Sequence, residues 1–181
     1  MTTGPHTTSM PPIRPRRAID GCSAVLLPFR ADGGIDWAGF EGHVNRTASA
    51  GLTPAVNMDT GWVHVIGEAD RLRALDIAAS CAKGRFLAGA YVADDPGAHF
   101  DFAAYARAIS EIARRGGTPV IFPSHGLRAL SEEAWVDAHR RIGAECGAFV
   151  AFELGEMFHP AGRIVSIDAY RGLLGVAHSI G

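Results

Sequence analysis

Polar residues that can take part in small-molecule chemistry stand shortly after three apolar runs of this sequence. They are Asp59, Thr60 and Gly61 after the run at 53–57, His125 after the run at 118–122, and Glu153 after the run at 148–152. An imidazole with a pKa of about 6.5 exchanges protons at neutral pH. A threonine hydroxyl with nearby amides can bind a carboxylate, and a glutamate can orient a hydroxyl or act as a base if its pKa is raised. Each residue also has a structural interpretation, as a turn-stabilising threonine, a loop histidine or a plain carboxylate.

The apolar runs have the length and composition of buried strands. Five of them, at 23–27, 53–57, 86–92, 118–122 and 148–152, begin roughly 30 to 33 residues apart. The segments between them have the period of an amphipathic helix, as in Phe102, Tyr105, Ala106, Ile109, Ile112 and Ala113. Predicted helix ends are the N-caps Asp36, Asp101 and Ser131 and the C-terminal turns at Gly84 and Gly116. The repeated order of strand and helix predicts right-handed βαβ units and a parallel sheet covered by helices.

Two architectures fit serial βαβ units: a doubly wound open sheet and a (β/α)8 barrel. The turn after the first run, at 28–36, lacks the GxGxxG pattern of a dinucleotide site, so the sequence favours the barrel. The same spacing puts the start of a sixth strand near 178–181, where the given sequence ends. We therefore predict a TIM-type barrel truncated to about five βα units, with unpaired backbone on the first and fifth strands.

Composition restricts the class of protein. The 181 residues are 48% hydrophobic, which is enough to bury the core of one domain. The 17 basic and 19 acidic side chains give a formal net charge of -2, so no basic field is available to bind a nucleic acid. Neither a secretory signal nor an apolar run of about 20 residues is present, which predicts a cytoplasmic protein with no membrane partner. We expect a disordered tail at 1–17 and one partial barrel domain at 18–181.

Cysteine usage argues against a covalent or metal framework. Cys22, Cys81 and Cys146 are odd in number, lie far apart and form no CxxC pair. They are interpreted as reduced, buried thiols, and neither a structural zinc site nor a disulfide is expected.

Several short motifs, in order, carry a resemblance to a known family. They are LLPFRADGGID at 26–36, AG at 50–51, NMDTG at 57–61, FPSH at 122–125 and FE at 152–153. From about Ala18 onward the chain resembles the first five units of the dihydrodipicolinate synthase / N-acetylneuraminate lyase family, and it is most similar to a divergent, poorly characterised branch. The resemblance implies a barrel lyase or synthase that acts on a small, pyruvate-like 2-oxo acid through a lysine Schiff base, with no further cofactor.

The resemblance also implies roles for individual residues. Thr60 matches the threonine that binds the pyruvate carboxylate, with Gly61 beside it, whereas Asp59 stands where the family usually has a second threonine. His125 lies near the place of a proton-shuttling tyrosine, and Glu153 stands where asparagine is common. The family's Schiff-base lysine projects from strand six, and the one lysine here, Lys83, is interpreted as a charge at a helix end. The chain alone is therefore expected to be inactive.

Two other interpretations stay open. The first is a metal-dependent aldolase or isomerase, in which a divalent metal would be bound by His125, Glu153, Glu156 and His159. The chain could instead be a non-enzymatic truncated half-barrel that docks onto a complementary C-terminal half, and a homo-oligomer is a further expectation. The remaining histidines considered, His43, His99 and His139, are interpreted as structural.

Overall fold

The computed structural model describes residues 15–16 and 19–180, so nearly all of the tail predicted at 1–17 lies outside the described residues. Five parallel strands form one sheet in the order β1 to β5. Their bounds are β1 Cys22–Ala24, β2 Thr53–Val56, β3 Leu87–Ala90, β4 Thr118–Ile121 and β5 Val150–Ala151. Each strand falls within or beside one of the five predicted apolar runs.

The strand order decides between the two predicted architectures. Every strand pairs with its sequence neighbour, as in the registers Cys22 to Thr53, Ala55 to Leu87, Leu87 to Thr118 and Val120 to Val150. A doubly wound sheet would reverse direction after its first half, whereas a barrel adds each strand to the same edge. The prediction of a TIM-type arrangement of about five βα units is therefore confirmed.

A sixth segment pairs with the sheet near 178–181, where the spacing of the apolar runs predicted the start of a sixth strand. Ser179 forms a parallel bridge with Phe149, and the amide of Ile180 donates to the Phe149 carbonyl oxygen at 2.9 Å. The amide of Phe149 in turn donates to the carbonyl oxygen of His178 at 2.9 Å. One end of β5 is therefore covered, and the prediction that β5 exposes an unpaired edge holds only for its remainder.

Six helices cover one face of the sheet. They are α1 Trp37–Ser49, α2 Glu68–Ala82, α3 Phe102–Ala113, α4 His125–Arg128, α5 Glu132–Gly143 and α6 Ile167–Leu174. The predicted caps are confirmed, because the side chains of Asp36, Asp101 and Ser131 accept from the amide three residues later. Gly84 and Gly116 have φ angles of 78° and 80°, as a left-handed helix end requires.

Alternation along the strands divides the core into two clusters. Val56, Ala88 and Ile121 pack against the helices, and the buried hydroxyl of Tyr105 donates from α3 to the Phe122 carbonyl oxygen at 2.7 Å. The opposite face, which is the inner face of a barrel, carries Ala55, Met58, Val63, Val120, Phe122 and Leu154. Both faces are apolar, as expected for a parallel sheet between two buried layers.

A close backbone approach marks the end of β2. Asn57 has a φ of 53°, and its side-chain amide donates to the carbonyl oxygen of Arg71 at 3.1 Å. A Cβ atom on Gly89 would overlap the carbonyl oxygen of Asn57, so the neighbouring strand needs a glycine there. This contact fixes the direction in which the chain leaves β2.

Two smaller expectations are also tested. The three cysteines are free thiols, but Cys22 is exposed and Cys81 and Cys146 are only partly buried, so the prediction that all three are buried was wrong. Cys22 lies on β1, at an edge of the sheet. None of the described helices has the length and apolar content that a bilayer crossing demands.

Candidate functional site

The chain turns sharply after β2 and buries a hydroxyl without a partner. Asp59–Gly61 form a single 3-10 turn, in which the amide of Gly61 donates to the Met58 carbonyl oxygen at 3.0 Å. The Oγ1 atom of Thr60 is buried and is the only buried side-chain polar atom of the described residues that lacks a hydrogen-bond partner. Because an unpaired buried hydroxyl costs about 1 to 3 kcal/mol, this atom is suited to accept or donate a bond when a ligand binds.

His125 begins the short helix α4 at the end of β4. The Ser124 hydroxyl caps this helix by accepting from the Leu127 amide at 3.1 Å. The backbone amides of His125 and Gly126 donate to the two carboxylate oxygens of Asp94, at 2.7 and 2.8 Å. Asp94 belongs to the loop after β3, so it ties two neighbouring loops together and holds the half-buried imidazole of His125 at the same edge of the sheet.

A third loop brings His159 into this region. After β5 the chain forms an antiparallel bridge between Leu154 and Arg163, and the intervening turn buries His159 to 5% exposure. The amide of Ala161 donates to Nδ1 of His159 at 3.1 Å, so the neutral ring carries its proton on Nε2. Among the residues that the structure describes, Nε2 has no hydrogen-bond partner, and unlike Oγ1 of Thr60 it is not a fully buried atom.

The electrostatic surroundings lower the pKa of His159. Burial lowers the pKa of His159, and nearby His64 and His125 lower it further. The carboxylates of Asp94 and Asp59 oppose this effect and raise the pKa. The imidazole therefore interacts with groups from the loops after β2, β3 and β4, which all meet at one edge. A neutral imidazole with a free N–H can donate a hydrogen bond.

Tyr91 completes the edge at the end of β3. Its ring lies 6.1 Å from that of His159, and the guanidinium of Arg71 lies 5.2 Å from the Tyr91 ring centre. Burial raises the pKa of the Tyr91 phenol, although the Arg71 charge opposes the shift. Arg71 also donates to the carbonyl oxygens of Val63 and Ile66, which fastens the segment that follows the 3-10 turn.

Glu153 is placed away from these groups. Val150 and Phe152 pack on the inner face, and the alternation of the strand turns Ala151 and Glu153 to the other face. The Glu153 carboxylate accepts a hydrogen bond from the Val165 amide at 2.8 Å, in the segment before α6. The structure thus brings together Asp59, Thr60, Gly61 and His125 at one edge of the sheet, but not Glu153.

The ligands of the predicted metal alternative do not converge. Glu156 pairs with Arg128 on the surface, and Glu153 is bonded to the Val165 amide. Within residues 15–16 and 19–180, no group of three or more histidine, cysteine, aspartate or glutamate side chains could hold a metal ion.

Lys83 lies at the opposite edge of the sheet. It is the exposed C-cap of α2, with a φ of 51°, and it stands four residues before the start of β3. The site residues follow the ends of strands, so Lys83 does not reach them. Its interpretation as a helix-end charge agrees with this position.

Reasoning from the sequence missed four residues at this edge, His64, Tyr91, Asp94 and His159. Of these, His159 was considered only as a metal ligand. Asp94 follows the third apolar run, at 86–92, so the rule that selected Thr60 and His125 would also have found it, whereas Tyr91 lies within that run. His159 gives no such signal, since it stands eight residues after β5 and depends on the fold of its loop.

Comparison with solved structures identifies the fold. Dihydrodipicolinate synthase from Agrobacterium tumefaciens matches 88% of this chain with a TM-score of 0.71 at 16% identity, over 52% of its own length. The chain has the fold of about half of such a barrel. N-acetylneuraminate lyase from Mycoplasma synoviae matches 90% of the chain with a TM-score of 0.61 at 15% identity, over 53% of its own length.

A sialic acid aldolase from Ruminococcus gnavus, solved as a mutant of its catalytic lysine, is similar as well. The match covers 90% of this chain and 52% of the aldolase chain, with a TM-score of 0.66 and 19% identity. This chain therefore spans about half the length of the synthase, lyase and aldolase barrels that it matches. No protein-family model and no curated protein matches the sequence.

Proposed function

We propose that the edge formed by Thr60 and His125 is part of the active site of a Schiff-base lyase or synthase that acts on a small 2-oxo acid. The observation that carries the proposal is the buried, unpaired hydroxyl of Thr60 at the end of β2. A substrate carboxylate is the partner that this hydroxyl and the amides of the 3-10 turn would bind best. The fold supports the reaction class, since synthase, lyase and aldolase barrels share it.

In the proposed chemistry, a lysine amine attacks C2 of the 2-oxo acid and water leaves, which gives an iminium. The C4 hydroxyl of the substrate then gives its proton to a base and the C3–C4 bond breaks, so that its electron pair passes to the iminium and an aldehyde is released. The resulting enamine is protonated at C3, and water then hydrolyses the iminium and regenerates the amine. His125 is the proposed proton donor and acceptor in these steps, with a contribution of roughly 10²- to 10⁴-fold.

The amine itself would come from outside residues 1–181. Lys83 is the one lysine of the sequence and stands at the other edge of the sheet. A further βα unit, in a longer chain or in a complementary chain, is the proposed source. A homo-oligomer would be a second way to complete the site.

Asp59 and Gly61 have supporting roles in this proposal. Gly61 is buried in the turn, so its backbone can come close to a carboxylate. Asp59 would act through its charge, because it raises the pKa of His159. Glu153 remains a predicted substrate-binding residue. Its hydrogen bond with the Val165 amide would have to break before its carboxylate could bind a substrate.

Binding of pyruvate to the 181-residue chain tests the carboxylate site. Replacing the Thr60 hydroxyl by a methyl group, in Thr60→Val, should weaken pyruvate binding about tenfold, since a hydrogen bond to a charged group is lost. Isothermal titration calorimetry gives the two dissociation constants. Thr118→Val is the matched control, because Thr118 begins β4 at the opposite edge and its replacement should leave binding unchanged. Equal binding by the wild type and Thr60→Val would refute the carboxylate role.

A further inference from the structure

A row of aromatic rings runs from the rim of the sheet to its inner face. The row consists of Phe29, Trp62, His64, His159, Tyr91 and Phe122, and we call it the aromatic wall. Successive ring centres are 6.5 Å apart from Phe29 to Trp62, 6.4 Å from Trp62 to His64 and 5.4 Å from His64 to His159. His159 then lies 5.4 Å from Phe122 and 6.1 Å from Tyr91.

Burial along the wall increases in one direction. Phe29 and Trp62 at the rim are 45% and 47% exposed, whereas His159 and Phe122 are 5% and 0% exposed. Two adjoining aromatic rings that are half exposed form a contiguous apolar patch, which is typical of a binding surface. The wall therefore offers ring faces at the rim and joins the inner face, beside the turn that contains Thr60.

The backbone at Trp62 is strained. Its φ of 57° is in the left-handed region, where a bulky residue is rare. The amide of Trp62 donates to the Asp59 carbonyl oxygen at 3.0 Å, so this conformation ends the turn that holds Thr60. Such strain is concentrated at functional sites, where it fixes the position of a side chain. Here it fixes an indole ring two residues from the unpaired hydroxyl.

The wall presents mainly ring faces at its rim. Its rim consists of the phenyl ring of Phe29 and the indole of Trp62, and the Nδ1 atom of His159 is already bonded to Ala161. A polyhydroxylated chain placed there would lose hydrogen bonds to water without replacing them. A flat apolar ring would instead stack against the rim at little desolvation cost.

We propose that the aromatic wall binds a planar aromatic substituent of the substrate, so that the preferred ligands are 2-oxo acids with an aromatic ring. This inference rests on the proposed function for the carboxylate half of the ligand, which Thr60 binds. Binding of the aromatic ring of the ligand depends on Trp62 and Phe29. Substitutions can therefore test the binding of the ring and of the carboxylate separately.

Four ligands distinguish the parts of this inference: phenylpyruvate, pyruvate, phenol and N-acetylneuraminate. Calorimetry on the 181-residue chain should give a dissociation constant for phenylpyruvate about tenfold lower than that for pyruvate, as expected for one favourable ring pair. Phenol should shift the NMR signals of the Trp62 indole and the His159 imidazole. Trp62→Ala should remove the tenfold preference and leave pyruvate binding as it was.

Controls keep each outcome interpretable. Trp62→Phe should retain most of the preference, and Tyr170→Ala, which removes an exposed ring on α6, should retain all of it. Thr60→Val should weaken phenylpyruvate and pyruvate by the same factor. If phenol binds at Trp62 but pyruvate does not bind at all, the ring site stands and the proposed function fails.

Three results would overturn the ring site. They are equal affinity for phenylpyruvate and pyruvate in the wild type, an equal loss of both in Trp62→Ala, and tighter binding of N-acetylneuraminate than of phenylpyruvate. A change of oligomeric state in Trp62→Ala, measured by light scattering, would also overturn it, because the rim would then be a subunit contact.

Discussion

At the scale of single residues, the position after a strand and the direction of the side chain have to be considered separately. Thr60 and His125 each follow a strand, and the carboxyl ends of parallel strands share one edge of the sheet. Glu153 obeys the same rule but turns to the other face and is bonded to the Val165 amide. Which face a residue occupies depends on the exact register at the strand end, and the two-residue strand β5 gives too little alternation to fix it.

The charged groups around His159 shift its pKa in opposite directions, and this can be tested by replacing them one at a time. Replacing His64 by asparagine removes a charge that lowers the pKa of His159, so this pKa should rise. Replacing Asp94 by asparagine removes a charge that raises it, so the pKa should fall. NMR titration of the imidazole signals measures both variants against the wild type. Shifts of the same sign in the two variants would contradict the arrangement of these loops.

At the scale of elements, periodicity and caps located α1, α2, α3 and α5, whereas α4 and α6 were not predicted. Asp36, Asp101 and Ser131 were predicted as N-caps from residue type alone, and each accepts the expected amide. The loop that carries His159 could not be predicted, because its position depends on tertiary contacts with Tyr91 and Phe122 rather than on local propensity. For His139 in α5, the sequence predicted a structural role but not that the side chain is buried.

His139 makes the stability of the protein depend on pH. Burial lowers its pKa to about 4, and its Nδ1 lies 2.9 Å from the Trp135 carbonyl oxygen. The unfolded chain, with a pKa of about 6.5, therefore binds a proton more tightly than the folded chain does. This contribution is fully present above pH 6.5 and is lost as the pH falls from about 6.5 to 4, with a magnitude of about 2 to 3 kcal/mol.

Urea unfolding at several pH values measures this loss. His139→Gln should unfold more easily at pH 7, because a packed ring is lost, but its stability should decrease less between pH 6.5 and 4. His43→Gln is a matched control on α1, since His43 is only partly buried. A wild-type protein whose stability did not change across this range would show that His139 is not buried as a neutral ring.

At the scale of the whole molecule, the sheet presents two edges of different character. Among the described residues, β1 pairs with β2 alone, and the far edge is formed by β5 with the bridge at Ser179. The spacing of the apolar runs predicted serial βαβ units, and the missing GxGxxG pattern then favoured the barrel, in which the strands follow one another in sequence order. Spacing alone could not predict what covers the edges. Ile167, Tyr170 and Leu174 leave α6 with an exposed apolar face beside the far edge.

The central claim is that residues 1–181 form a 2-oxo acid site whose Schiff-base amine lies elsewhere. The most direct test incubates the chain with saturating pyruvate and sodium borohydride, which reduces any iminium to a stable amine, and then measures the intact mass. Lys83→Arg serves as the control that separates labelling at Lys83 from labelling at the terminal amine. The account predicts that pyruvate binds and that the mass of the wild type does not increase. A covalent adduct on Lys83 would contradict it.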